Sequence, residues 1–557
     1  MKRYHWAARG DVNAFFGLML DNVAVMVILF STVSSTAPVE QQQKEGQYRF
    51  TPSFVLTRMI PGTAIGVLLG DLVYTAMAFR LARRLGRSDV TAMPLGLDTP
   101  STFGVAFLIL LPALKQGHEL GLDHARAMDF AWHVGLVVLV LVGVFKIVCA
   151  PVGNAIRRVV PRAGLLGSLA AIALALIAFL PMLLDGIAAV PLVGMLALAV
   201  ILWTLVAHRE LPGKFPGALA AVLLGVVVYQ VSLWLRQRTG LPLVPEPAPP
   251  QPPEAWQPLA MFAHWGNPAD WWLTVLKAAV AKLPVALPFA LATIVGGIDC
   301  TESAAAAGDE YDTRAILMTE GVASLVAGLL GGVIQTTPYI GHPAYKKMGG
   351  RAAYTLATAL FVGVVGYFGG FTLLFDWLPK AAMFPILVFV GLEITAQSFH
   401  ATPVRHYPAL ALAMLPALAY LITVVLNLAL GGRDPAGPQA LLVVQTLRCL
   451  ANGFIVTSLL WAAALAVLLD GRLVRSAAYF ALAGVCALIG VIHSPLPSER
   501  IGLPHNVLAE VPPAFREAVE CQTPYHWAGA YALVALLLLA LAALGRREED
   551  SGPRQEE

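Results

Sequence analysis

Charge is what this sequence has least of: only 13% of its residues are Asp, Glu, Lys or Arg, against roughly 25% in an ordinary soluble domain. That shortage excludes a cytosolic globular enzyme. The 37 basic residues are scattered among the breaks between apolar runs and gather on no single face, so a nucleic-acid-binding footprint is absent. Cysteine is also scarce. The five present (Cys149, Cys300, Cys449, Cys486, Cys521) form no close pairs and four lie in apolar segments, so they read as packing residues and not as a disulfide framework or a metal site. The amino-terminal stretch has Lys2, Arg3 and Arg9 but no short apolar run ending in small residues, so no cleaved signal peptide is expected.

What the sequence does have is hydrocarbon: 58% of the 557 residues are hydrophobic and the mean hydropathy is +0.71. A spanning helix needs about 20 mainly apolar residues, and such stretches recur along nearly the whole chain. Breaks at Pro, Gly and charge clusters place spans near 11–33, 53–80, 93–115, 128–151, 161–184, 187–207 and 214–236. A proline-dense loop, 239–270, separates these from a second group near 272–300, 313–333, 335–349, 351–375, 380–399, 407–430 and 441–469. Two further apolar stretches, 473–493 and 526–545, complete a total of about 16. Arg80, Arg83, Arg84 and Arg87 after the second span, with Arg157, Arg158 and Arg162 after the fourth, place those loops in the cytoplasm together with both termini.

The third and tenth spans open with helix-hostile sequence. One reads Met93-Pro94-Leu95-Gly96-Leu97-Asp98-Thr99-Pro100-Ser101-Thr102-Phe103-Gly104, the other Gln335-Thr336-Thr337-Pro338-Tyr339-Ile340-Gly341-His342-Pro343. Two prolines in each break the helical ladder, and freed backbone groups cannot face lipid. Interrupted segments at matching places in two halves point to a transporter's binding site. Val160-Pro161-Arg162-Ala163 is echoed by Leu378-Pro379-Lys380-Ala381 in the same register. With seven spans each, the halves must have opposite topology. The expected fold is therefore an all-α polytopic 7+7 inverted repeat with broken third and tenth spans, plus about two extra C-terminal spans.

A half-helix starting at mid-membrane directs unpaired amides and its positive dipole end into the cavity. The substrate-binding candidates are Asp98, Thr99, Thr102, Phe103, Thr293, Asp299, Thr337, Tyr339, Gly341 and His342, with Phe103 and Tyr339 placed to stack on a planar ring. Ionisable residues inside spans are functional hypotheses by default. Asp299, Glu302, His342 and Glu393 are the candidates for handling a coupling proton or sodium ion, and Asp21, Asp71 and Glu320 are further buried acids. Lys146 is a cationic partner available to any of these carboxylates. No cofactor or metal is expected, and no nucleophile, base and orienting group share a membrane depth, which leaves a membrane-embedded enzyme a remote alternative.

The stretches Thr301–Asp309, Glu320–Gly332 and Gln335–Ile340, followed by Gly349-Gly350-Arg351, resemble the xanthine/uracil permease group of the nucleobase/ascorbate transporter superfamily, in particular its adenine/guanine/hypoxanthine branch. The resemblance implies a core domain of spans 1–4 and 8–11 (1–152 and 271–376) and a gate domain of spans 5–7 and 12–14 (153–238 and 377–470). The loop 239–270 would be extracytoplasmic, and 471–557 would hold the extra spans and a tail. It also implies ion-coupled import of a purine or related solute across the inner membrane, with homodimerisation through the gate domains. The sequence departs from that pattern at Gly341, where the family commonly has glutamate, and at Thr293 and Gly297, where uracil-type members carry glutamate and histidine. The alternative is an anion transporter of the related sulfate-permease-like fold.

Overall fold

Inside a bilayer every backbone polar group needs a partner within the protein, and this chain meets the requirement almost entirely with helices. The computed structural model describes residues 4–551 apart from 36, 45–47, 153–160, 185–186, 189, 208, 210, 213–214, 216, 246–265, 340, 372–378, 431–436 and 497–501. Its principal helices in the first half are α1 (Gly10–Val33), α2 (Ile60–Leu85), α3 (Thr99–Gly104), α4 (Leu111–Glu119), α5 (His124–Cys149), α6 (Arg162–Ile172), α7 (Pro191–Ile201) and α8 (Gly217–Thr239). The second half has α9 (Ala269–Ala281), α10 (Leu283–Ala306), α11 (Thr313–Leu329), α12 (His342–Lys347), α13 (Ala353–Leu360), α14 (Lys380–His400), α15 (Tyr407–Leu430), α16 (Pro438–Ala451) and α17 (Phe454–Leu469). Two more, α18 (Leu473–Leu488) and α19 (Pro524–Ser551), follow. Among the described residues, nine helices are long and apolar enough to cross a membrane, and the bent pair α16–α17 makes a tenth. The protein is a multi-pass membrane protein.

Two expected spans are interrupted. The stretch 272–300 divides at Lys282 into α9 and α10, because Pro284 removes a backbone donor just where Lys282 adds a charge. The stretch 441–469 bends by 66° between α16 and α17. The bend sits at Gly453, whose φ of +69° is a left-handed conformation that disfavours any residue with a Cβ.

The contacts divide the chain into two compact units, one of residues Met1–Ile156 and Leu176–Leu392, the other of Arg157–Ala175 and Glu393–Glu557. In the second unit, Ala163 of α6, Ala409 and Ala413 of α15 and Ala462 and Ala466 of α17 form an alanine seam, the small-residue packing that lets helices approach where lipid gives no hydrophobic drive. The break before α17 is sealed by the chain after α18. Asn452 Nδ2 donates to the carbonyls of Ser494 (2.7 Å) and Leu496 (2.8 Å), and His493 bridges the Cys449 carbonyl and the Tyr531 hydroxyl.

In the first unit, each half repeats one order: a long helix, a short extended segment, a short helix. The first is α2, β1 (Leu95–Leu97), α3; the second is α11, β2 (Thr336–Pro338), α12. β1 and β2 pair antiparallel, with Leu95 opposite Pro338, Gly96 opposite Thr337 and Leu97 opposite Thr336. Segments related by a twofold axis in the membrane plane meet antiparallel of necessity. The architecture is therefore the inverted repeat with broken third and tenth spans. After β1, α3 runs through a π-helical turn (Val105–Leu110) into α4.

Candidate functional site

The two broken spans meet at the β1–β2 pair, and side chains of four surrounding helices hold it in place. On the β1 side, the Leu95 amide donates to Asp71 Oδ1 of α2 (3.2 Å) and the Leu97 amide to Asn22 Oδ1 of α1 (3.1 Å). On the β2 side, the Thr336 amide donates to Ser324 Oγ of α11 (3.1 Å), while Lys146 Nζ of α5 donates to the Thr336 carbonyl (3.1 Å). Asp71, Asn22, Lys146 and Ser324 are all buried. Side chains thus complete the pairing that two three-residue strands cannot supply for themselves.

Glycine makes the close approach possible. A Cβ at Gly96 would lie 2.4 Å from the Tyr339 ring, so only hydrogen at that position lets Tyr339 cover β1 and donate its hydroxyl to the Leu97 carbonyl at 3.1 Å.

Lys146 also donates to Glu320 Oε1 of α11 at 2.6 Å, and both side chains are essentially without solvent exposure. This pairing identifies the partner of the lysine among the many carboxylates of the sequence. An ammonium has three donors. Two are used, on Glu320 and Thr336, and among the described residues no partner exists for the third. Asp98 lies in the field of the same ammonium. It caps α3, accepting from the Ser101 amide (2.9 Å) and from Gln335 Nε2 (3.2 Å), and Gln335 in turn accepts the Asp98 amide on its carbonyl (3.0 Å). One carboxylate thus already occupies the amino end of α3, whereas Gly341 begins α12 with no side-chain cap.

The remaining sequence candidates divide between the crossing and elsewhere. Thr99 and Thr337 are buried at it; Thr102 donates its hydroxyl to the Asp98 carbonyl (2.7 Å); Thr293 of α10 faces Glu320. Phe103 is 1% exposed and stacks on Phe107 at 6.3 Å. The side chain of Asp299 lies outside the described residues. Glu302 is exposed near the end of α10, and Glu393 is exposed on α14, accepting from Gln397 Nε2 at 2.8 Å. His342 is fully buried, but its Nε2 meets the Thr91 carbonyl (3.1 Å) and Asp309 Oδ2 (3.4 Å). Asn22 is marked in the sequence only by its place beside Asp21, and Ser324 and Gln335 carry no mark of their own, since polar uncharged side chains inside a span have no distinguishing spacing.

Asp309, in the turn between α10 and α11, ties this side of the unit together. Its Oδ2 takes Lys346 Nζ (2.6 Å) and the Thr91 amide (3.0 Å), and Arg87 lies 3.5 Å from Oδ1. Burial alone would push this carboxyl up, but the bonds from His342, Lys346 and Thr91 outweigh it and hold it below the usual carboxylate value. The segment entering β1 is clamped as well. Tyr4, Tyr311 and Tyr354 donate their hydroxyls to the carbonyls of Val90, Thr91 and Ala92 in turn.

No family model matches the chain, and none of the curated proteins matches it. Among solved structures it is similar to the transmembrane domain of a cyanobacterium bicarbonate transporter, BicA, at 16% identity and a TM-score of 0.43, covering 76% of this chain and 97% of that one. It is also similar to SLC26A9 at 11% identity and a TM-score of 0.41, covering 67% of this chain and 65% of that one. These findings overturn the resemblance to the xanthine/uracil permease group. The stretch that suggested it has a simpler physical role. Gly321 and Gly328 bring α11 against α5, where an added Cβ would lie 2.9 Å from Ile147 and 3.0 Å from Val140, and any closely packed pair of membrane helices selects such residues.

Proposed function

We propose that the protein is a secondary transporter of a small anion, working by alternating access at the crossing of its third and tenth spans. The observation that carries the reading is Lys146: a desolvated ammonium bound to the backbone of β2 with partners for two of its three donors among the described residues. A buried donor without a partner costs free energy, and a solute anion at the crossing would relieve that cost.

An anion is favoured over a planar heterocycle because both rings proposed for stacking are already committed within the protein, Phe103 fully buried and Tyr339 half-buried over β1. Phe103 is buried against Phe107, and Tyr339 lies on Gly96 with its hydroxyl engaged. Charge balance favours ion coupling. Asp98 and Glu320 against Lys146 leave one negative charge in excess, so an anion enters at lower cost when a cation accompanies it. The arginines after the second span support an inner-membrane orientation with cytoplasmic termini.

Thermal unfolding of the detergent-solubilised protein against sulfate, bicarbonate, acetate, succinate, xanthine and uracil tests the reading, since a ligand of the native state raises stability by mass action. At least one anion is expected to raise the melting temperature, and neither nucleobase. Stabilisation by xanthine or uracil alone would overturn it.

A further inference from the structure

Among the described residues, Asp71 is a fully buried acid at the crossing that the charge network leaves out. It is fully buried on α2, no basic side chain pairs with it among the described residues, and its Oδ2 has no hydrogen-bond partner. Its Oδ1 accepts the Leu95 amide of β1. That approach is built in, because a Cβ at the neighbouring Gly70 would lie 2.5 Å from the Leu95 side chain.

The titratable groups around Asp71 are phenols and acids. Tyr74 lies on its own helix, Tyr339 follows β2, Tyr345 is on α12 and Tyr354 on α13. Asp21 on α1, Asp98 at the start of α3, Cys300 on α10 and Glu320 on α11 act on the same tyrosines, and Glu320 is already held by Lys146. None of these groups supplies a positive charge. An ionised carboxylate there would be an uncompensated buried charge beside an existing negative excess, whereas a carboxylic acid costs only one unmade hydrogen bond.

We propose that Asp71 is the proton-binding residue of the carrier. Asp71 holds a proton on Oδ2 in the conformation seen here. When α2 and β1 open to water, the Oδ2–H bond breaks and the proton passes to water on the open side, leaving a carboxylate that holds the Leu95 amide more tightly, as a charged acceptor does. Protonation is thereby linked through a single hydrogen bond to the strand on which the solute site is built. The coupling role rests on the transport reading above; the protonation of Asp71 does not.

Infrared difference spectroscopy of wild type minus Asp71→Asn at neutral pH tests the protonation directly. Asparagine keeps the acceptor for Leu95 and cannot carry the proton. A carboxylic C=O band present in the wild type, missing in Asp71→Asn and shifted in Asp71→Glu is expected; no such band would overturn the proposal. Proteoliposome uptake of labelled sulfate or succinate tests the coupling. Asp71→Asn is expected to lower accumulation driven by an imposed pH gradient by a much larger factor than it lowers counterflow, and gradient-driven accumulation that falls no further than counterflow in that variant would overturn the coupling role. A wild-type protein that moves no anion would sink the transport reading and the coupling role with it, while the infrared band still decides the protonation.

Discussion

Lys146 Nζ and Glu320 Oε1 lie 2.6 Å apart in the interior of the protein, joining α5 to α11 at the depth where β2 replaces helix. Removing one partner leaves the other as an uncompensated buried charge, a loss of about 3–5 kcal/mol. Lys146→Met and Glu320→Gln should each lower thermal stability strongly, whereas Lys146→Met combined with Glu320→Met should recover most of it. Melting curves of the three variants in detergent check this; equal destabilisation by the double variant would contradict it.

The same pair depends on how closely its helices pack. A Cβ at Gly321 would lie 3.0 Å from the Ile147 backbone nitrogen, and one at Gly143 would lie 2.7 Å from the Leu325 nitrogen. Gly321→Ala should therefore push α5 and α11 apart, stretch the Lys146–Glu320 contact and reproduce the Glu320→Gln phenotype. Ligand-induced thermal shifts of the two variants, measured side by side, should fall together.

Asp309 gives the fold a defined acid sensitivity. Its carboxyl is held below the ordinary value of 3.8 when folded, so the folded state binds that proton less readily than the unfolded state does. The stabilisation it gives is complete above the unfolded value and is lost as pH falls through it toward the folded one. Wild type should therefore exceed Asp309→Asn in melting temperature near neutral pH, with the gap narrowing below about pH 4. A gap that stays constant down to acid pH would contradict the arrangement.

In the second unit, Gly453 turns α16 into α17 with φ +69°, and a Cβ there would lie 2.1 Å from the Val491 carbonyl. Gly453→Ala meets both a left-handed backbone, costing about 1–2 kcal/mol, and a backbone clash. Thermal melts should show a loss well above that figure, and limited proteolysis of the variant should give faster cleavage in the segment after α18.

Much of this architecture is legible in the sequence because lipid leaves few choices. Pro94, Pro100, Pro338 and Pro343 cannot continue a helix, and the chain can afford such segments only where they meet partners; the β1–β2 pair is where they do. The partners themselves were harder to read. Lys146 carries no local mark pointing to Glu320, 174 positions away, and Asn22 and Ser324 look like ordinary polar residues of a span. His342 illustrates the opposite difficulty. Its place in the broken segment suggested a role at the crossing, yet its ring meets Thr91 and Asp309, because side-chain direction at the first residue of a short helix is set by tertiary contacts. The small-residue runs around 301–332 suggested a family, but they record close helix packing, a demand shared by unrelated membrane proteins.

The most direct test is uptake of labelled sulfate, bicarbonate, acetate and succinate into proteoliposomes containing the wild-type protein or the Lys146→Met/Glu320→Met variant, with labelled uracil as the uncharged control. Saturable uptake of at least one anion by the wild type, abolished in a variant that still melts cooperatively, is the predicted result. Uptake of uracil alone, or anion uptake unchanged by loss of the lysine, would contradict the account.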